Sequence, residues 1–207
     1  RLLAEAGRDV VGGWTPDGTL TYCSPAVEAF SGADPEDVVG RDLFSVIATE
    51  EDRRRAREVV ERAVRHQEPG TIEFLHQPLR GDPFPVEAAG KPVVQDGEVV
   101  SVQAVLRDVS ERKRAQERFR VLFESSRDAL MTLTPPAWRF SAGNPAALAM
   151  FGVEDEAAFT SVTPWDISPE VQPDGRPSEE KARQMLETAV REGSHFFEWT
   201  HRRVDGE

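Results

Sequence analysis

The chain has 207 residues, 39% of them hydrophobic and 30% charged, with a net charge of −12 at pH 7 and a pI of about 4.9. Such an acidic balance leaves counterion-release binding of nucleic acid little to work with, while the apolar fraction suits small, half-exposed domains rather than disorder. The single cysteine, Cys23, excludes an internal disulfide and favours a reducing compartment, and no apolar run nears the roughly 18 residues of a membrane span.

Residues 1–7 read as the end of a helix. Strands are expected around Val10–Thr15 and Thr19–Cys23, joined at Pro16-Asp17-Gly18, a hairpin turn signal. Ser24-Pro25 then opens a short helix, serine as N-cap and proline in the first turn, ending near Gly32. A looser stretch carries Leu43, Phe44, Val46 and Ile47. The acidic turn Glu50-Glu51-Asp52 starts a helix running to about His66, with Ala56, Val59, Val60, Ala63 and Val64 on one face. The Arg53–Arg57 cluster on this helix has carboxylates beside it and reads as a solvated face. Three strands close the unit, at about Thr71–Gln77, Phe84–Val94 and Glu98–Arg107, with Gly81-Asp82 and Asp96-Gly97 at the turns. A helix follows, capped by Asp108 with Glu111 or by Ser110; Ala115, Phe119, Leu122 and Phe123 form its apolar stripe. No Gly or Pro interrupts Val109 to Leu133, so this is a stiff helical connector rather than a flexible tether.

The pattern then starts again. Arg8-Asp9 returns as Arg127-Asp128, Ser24-Pro25-Ala26 as Asn144-Pro145-Ala146, and Gly32 as Gly152. The stripe of the long helix returns as Ala182, Met185, Leu186, Ala189 and Val190, and Glu73, His76 and Gly81 return as Glu198, His201 and Gly206. Preserved order with a drifting offset means two copies of one folding unit. Each copy is expected to be an α+β layer, a five-stranded antiparallel sheet with helices on one face. The expected division is residues 1–108, a helical linker over 109–124, and a second unit over 125–207 that lacks its last two strands. The strand around Phe196–Arg202 would then have an unpaired edge, and the second unit should be the less stable. Without an initiator Met, and ending inside a hairpin signal, the chain is expected to be a piece of a longer protein.

The strand–turn–strand, the Ser/Asn-Pro-Ala helix, the long amphipathic helix and the closing strands together resemble the PAS sensory domain. Asp108-Val109-Ser110-Glu111-Arg112 resembles that family's exit into a signalling helix. Pro164-Trp165-Asp166-Ile167, Glu198-Trp199-Thr200-His201-Arg202-Arg203 and Asp205-Gly206-Glu207 are similar to its later half. The resemblance implies a cytoplasmic module that senses or dimerises and leaves catalysis to a downstream output domain, the parent protein being a histidine kinase. It places any ligand pocket between sheet and helices. The aromatics Trp14, Tyr22, Phe30, Phe44, Phe74, Phe140, Phe151, Trp165 and Trp199 are the candidates to line it, although ordinary core between sheet and helices is the better account of them.

No metal site, cofactor motif or enzymatic signature is evident, so the expected ligand is an unidentified small molecule, if one exists. Cys23 reads as a small apolar core residue, and His66 suits the C-terminal end of its helix. His76 and His201 match across the repeats in the third strand, alternating with neighbours that can face solvent; an isolated His is weak evidence for a metal, and His195 has no evident role. The expected partners are a second copy, through the helical linker, and the output domain, with no nucleic acid or membrane contact. Two alternatives stay open: a haem- or flavin-bound redox, gas or light sensor, and a ligand-free dimerisation module. The flavin-photoreceptor motif Asn-Cys-Arg-Phe does not occur.

Overall fold

The computed structural model describes residues 8–204, so the helix end expected at residues 1–7 and the turn at 205–207 lie outside the described residues. The chain divides into two compact units, Arg1–Ala115 and Gln116–Glu207. Among the described residues, no helix is long and apolar enough to cross a membrane.

In the first unit, β1 (Val10–Trp14) and β2 (Leu20–Cys23) form the expected hairpin, and Gly18, at φ +96°, takes the left-handed position that the turn requires. The helices α1 (Val27–Ser31) and α2 (Pro35–Val38), a 3-10 turn at Leu43–Val46 and α3 (Glu50–His66) follow. Then β3 (Gly70–His76), β4 (Phe84–Gln95) and β5 (Glu98–Asp108) complete an antiparallel sheet of order β2-β1-β5-β4-β3. The expected capping of α1 by Ser24 is corrected. Ala26 stands at the N-cap without a side-chain bond, and Ser24 Oγ instead accepts the Val11 amide at 3.0 Å, tying the helix entry back to β1. The cap that holds α3 is Thr49, whose hydroxyl accepts from the Asp52 amide.

The register of the sheet sets the shape of its inner face. Gly12 opposes Ala104, Ala104 opposes Gly90, and Gly90 opposes Gly70. One row across four strands therefore carries almost no side-chain volume. Ala56 and Ala63 of α3 are buried above it, with Val59 and Val60 half-buried. The Trp14 ring folds back over Gly12, where a Cβ would lie 2.3 Å from it, and Val59 covers Gly70. The rest of the gap stays open.

The helix α4 (Ser110–Ser125) contains the last residues of the first unit and the first of the second. It stops at Ser125 rather than running on. In the second unit, β6 (Met131–Thr134) and β7 (Arg139–Gly143) form a two-stranded antiparallel sheet followed by α5 (Pro145–Phe151), α6 (Glu156–Thr160) and α7 (Ser178–Glu192). The repeat extends to register: Gly12↔Cys23 and Trp14↔Leu20 correspond to Met131↔Gly143 and Leu133↔Phe140, with an irregularity at the same place in both ladders. Asn144 caps α5 as expected, and Gly32 and Gly152 end α1 and α5 in the left-handed conformation.

The strand expected around Phe196–Arg202 does not form. A strand exists through its ladder, and no described residue is placed to pair with this segment as β4 pairs with β3. The segment is held by single bonds instead: Arg202 N donates to Ile167 O, and the Gln172 side chain bonds both the amide and the carbonyl of Thr200.

Candidate functional site

Two cavities lie in the core of the first unit. The first, of about 70 Å³, is the gap over the glycine–alanine row; Trp14, Ile72, Phe74, Val102 and Leu106 line it beneath α3. Its lining side chains are apolar apart from Thr15 and the indole N–H of Trp14. The second, of about 60 Å³, lies against α1 and α2 and shares Trp14, Leu43 and Leu106 with the first. Its remaining lining includes Cys23, Val27, Phe30, Ser31, Val38 and His76.

His76 points into the core of the first unit. It follows Ile72 and Phe74 at two-residue spacing, so it shares their inward face and is 3% exposed. Its ring sits among Phe30, Phe74 and Phe84, with centroids at 5.3, 6.5 and 5.1 Å. Nε2 is 2.8 Å from the buried Ser31 hydroxyl, while Nδ1 has no partner at hydrogen-bonding geometry. Burial pushes its pKa down to about 4, opposed by the Val46 carbonyl beside the ring. The imidazole is therefore neutral at pH 7. Burial likewise raises the pKa of the Cys23 thiol, keeping it protonated.

The exit residues form a tied corner. Asp108 at the end of β5 accepts the Ser110 amide through Oδ1 at 2.7 Å, starting α4. One turn on, Arg112 reaches Glu73 of β3 at 2.6 Å and Glu87 of β4 at 3.2 Å, and Lys113 reaches Glu73 at 2.7 Å. Lys113 and Arg112 hold the Glu73 carboxyl below the usual carboxylate range. Glu111 is exposed in the first turn. The first turn of α4 is thus clamped to two strands of the sheet.

At the far end of α4, Asn144 is 1% exposed and uses its whole amide. Nδ2 donates to the carbonyls of Phe123 (2.9 Å), Ser126 (3.4 Å) and Asp128 (2.9 Å), and Oδ1 accepts from the amides of Leu130 and Ala147. One side chain therefore ends α4, holds the entry to β6 and starts α5. Between the two ends, Ala115, Phe119 and Leu122 are exposed, Phe119 at 62% and Leu122 at 70%, and Phe119 stacks on the half-buried Phe123 at 5.6 Å.

The remaining candidates distribute unevenly. Tyr22 is 56% exposed and lines neither cavity, a correction; it lies next to inward-facing Cys23 in a strand and so points to the opposite face. Phe44 packs at the edge of the core beneath the Arg57 guanidinium. In the second unit, Phe140, Phe151 and Phe159 stack into the core, Phe140 and Phe159 at 4.4 Å. Trp165 is half-buried beneath Arg183. Trp199 and Phe140, with Met131, Leu186 and His201, line a depression of about 150 Å³ in the second unit. The His201 ring packs edge-on against Phe151 at 4.8 Å, and burial lowers its pKa, opposed by the Ile167 carbonyl. Arg53, Arg54 and Arg55 are each ion-paired on the surface of α3.

Two family profiles, each described as a PAS domain, match residues 10–111 and 117–190. No curated protein matches the chain. Among solved structures, it is similar to a sensory box histidine kinase/response regulator from Burkholderia thailandensis, at 21% identity over 58% of this chain and 91% of that one, with a TM-score of 0.48. It is also similar to the N-terminal domain of a diguanylate cyclase with a PAS/PAC sensor from Marinobacter aquaeolei, at 15% identity over 51% and 98%, TM-score 0.46. A PAS domain from Colwellia psychrerythraea matches at 19% identity over 53% and 95%, TM-score 0.46. The chain belongs to the PAS domain family, as two PAS domains in tandem.

Proposed function

We propose that this tandem pair of PAS domains is a sensory module in which the state of the first core is passed along α4 to an output domain of the same protein, a histidine kinase. One observation carries the reading: α4 is tied at its first turn to β3, β4 and β5 of the first unit, and at its last turn to Asn144 of the second. A rearrangement of the sheet that moves Glu73 or Glu87 acts directly on the start of this helix. The ligand is expected in the first unit's cavities, and it shifts the helix only to the extent that it binds the two states with different affinity.

The exposed Phe119 and Leu122 give α4 an apolar face for pairing with the same helix of a second copy. In the full-length protein, replacing both by Glu should lower the dimer fraction measured by light scattering; an unchanged fraction removes α4 from the interface. The output is tested by incubating full-length protein with γ-labelled ATP. Incorporation of acid-labile, alkali-stable phosphate is expected, together with altered incorporation in Glu73→Gln. No incorporation removes the kinase reading.

A further inference from the structure

The two units can be compared position by position, because their first hairpins share one register. Cys23 corresponds to Gly143 and Leu20 to Phe140. The left-handed glycines Gly32 and Gly152 make Ser31 the counterpart of Phe151, and Asp34 and Asp155, each at the N-cap of the next helix, make Val38 the counterpart of Phe159. In the second unit these positions are filled. Phe140, Phe151 and Phe159 stack together, Gly143 gives Phe159 room, since a Cβ there would lie 2.5 Å from its ring, and His201 closes on Phe151. In the first unit the same positions carry Leu20, Ser31 and Val38, and the space they leave is the chamber of about 60 Å³ beside His76. Hydrogen-bonding groups therefore line a chamber in one repeat at the place where the other packs aromatic rings.

We propose that the first PAS unit binds, in the chamber lined by Ser31 and His76, a small neutral molecule with one hydroxyl or carbonyl group on a short hydrocarbon body. The second unit does not bind it. This deepens the sensory reading above and rests on it. The chamber has room for about four water-sized groups. Its walls are mostly Val10, Trp14, Leu20, Val27, Phe30 and Leu106, so a cluster of waters would lack the two to four polar partners each requires. A molecule with one polar end and an apolar remainder matches these walls better. Among the described residues Ser31 Oγ bonds His76, and a hydroxyl can both donate and accept, so it has capacity for a ligand. A charged ligand is disfavoured because the imidazole is neutral at pH 7 and the charged side chains lining the chamber, Arg41 and Asp42, are exposed.

The test is a titration of the ¹⁵N-labelled chain with 1-propanol, observed by NMR, with xenon as an apolar comparison. For a ligand of this size, saturation should come no earlier than about tens of micromolar. Saturable shifts of the His76 ring nitrogens and of the Leu20, Val27 and Ser31 amides are expected, with none over residues 131–204. Ser31→Ala should weaken propanol about tenfold, the effect of one hydrogen bond, and leave xenon within twofold. Val38→Phe, which installs the second unit's residue, should abolish the propanol and xenon shifts at Leu20, Val27 and Ser31, whatever xenon does in the separate cavity under α3. Linear, unsaturated shifts, equal losses of propanol and xenon in Ser31→Ala, or saturable binding in the second unit would each overturn the proposal. Failure of the sensory reading is separately visible, as propanol that binds in this way and leaves α4 unchanged.

Discussion

Acidification should destabilise the first unit through His76. Its ring is 3% exposed and its pKa is about 4 in the folded state, against an ordinary value of 6.5. The unfolded chain therefore takes up a proton at a higher pH than the folded one. The stabilising contribution is complete above pH 6.5 and is lost as pH falls from there towards 4. From the two pKa values, the loss between pH 7 and 5 is about 2 kcal/mol, rising to about 3 kcal/mol at pH 4. Carboxylates titrate over the same range, so the measurement is a difference. Urea unfolding of the wild-type chain and of His76→Leu, followed by NMR at first-unit resonances such as Val10 and Phe74, should show the wild type losing about 2 kcal/mol more than the variant from pH 7 to 5. A wild-type-minus-variant difference that stays flat from pH 7 to 4 would refute the assignment of a buried, neutral imidazole.

Asn144→Ala removes the side-chain partner of the half-buried Phe123 and Ser126 carbonyls, of the Asp128 carbonyl and of two amides, and should destabilise the second unit by about 2–4 kcal/mol in urea unfolding; a loss under about 0.5 kcal/mol would contradict the hub reading. Glu73→Gln should speed amide hydrogen exchange in the first turn of α4, at Lys113 and Arg114, and leave β1 unaffected; unchanged exchange would mean the clamp does not hold the helix. Freshly purified protein should show no absorption bands between 350 and 600 nm, and a Soret or flavin band would favour the cofactor-bound alternative. Limited proteolysis should clip the second unit before the first, because its 194–203 segment lacks a ladder; the reverse order would contradict this.

Local chemistry was the legible part of this chain. The Asp17-Gly18 and Asp96-Gly97 turns, the full span of α3 and the Asn144 cap follow from neighbours in sequence, and all appear in the structure. Ser24 misled because a serine before Pro-Ala has the same sequence signature whether its hydroxyl turns forward to the helix or back to β1; the Val11 amide decides, and it is 13 residues away. The 196–202 segment misled because β-propensity does not make a strand without a partner. The inward face of His76 is legible from the alternation of Ile72, Phe74 and His76, while its partner Ser31, 45 residues away, is not. The cavities were out of reach of sequence reasoning. The first depends on Gly12, Ala104, Gly90 and Gly70 falling in one row, which is a matter of register across four strands, and the second on which side chains of β2, α1 and α2 converge beside His76.

The central claim is that the state of the first core acts on α4 through the clamp at its first turn. Amide exchange measured at Lys113 and Arg114 of the full chain, with and without saturating 1-propanol, tests it most directly. A change in protection at these amides that disappears in Glu73→Gln is the predicted result. Unchanged exchange at propanol concentrations that saturate the His76 shifts would contradict the claim.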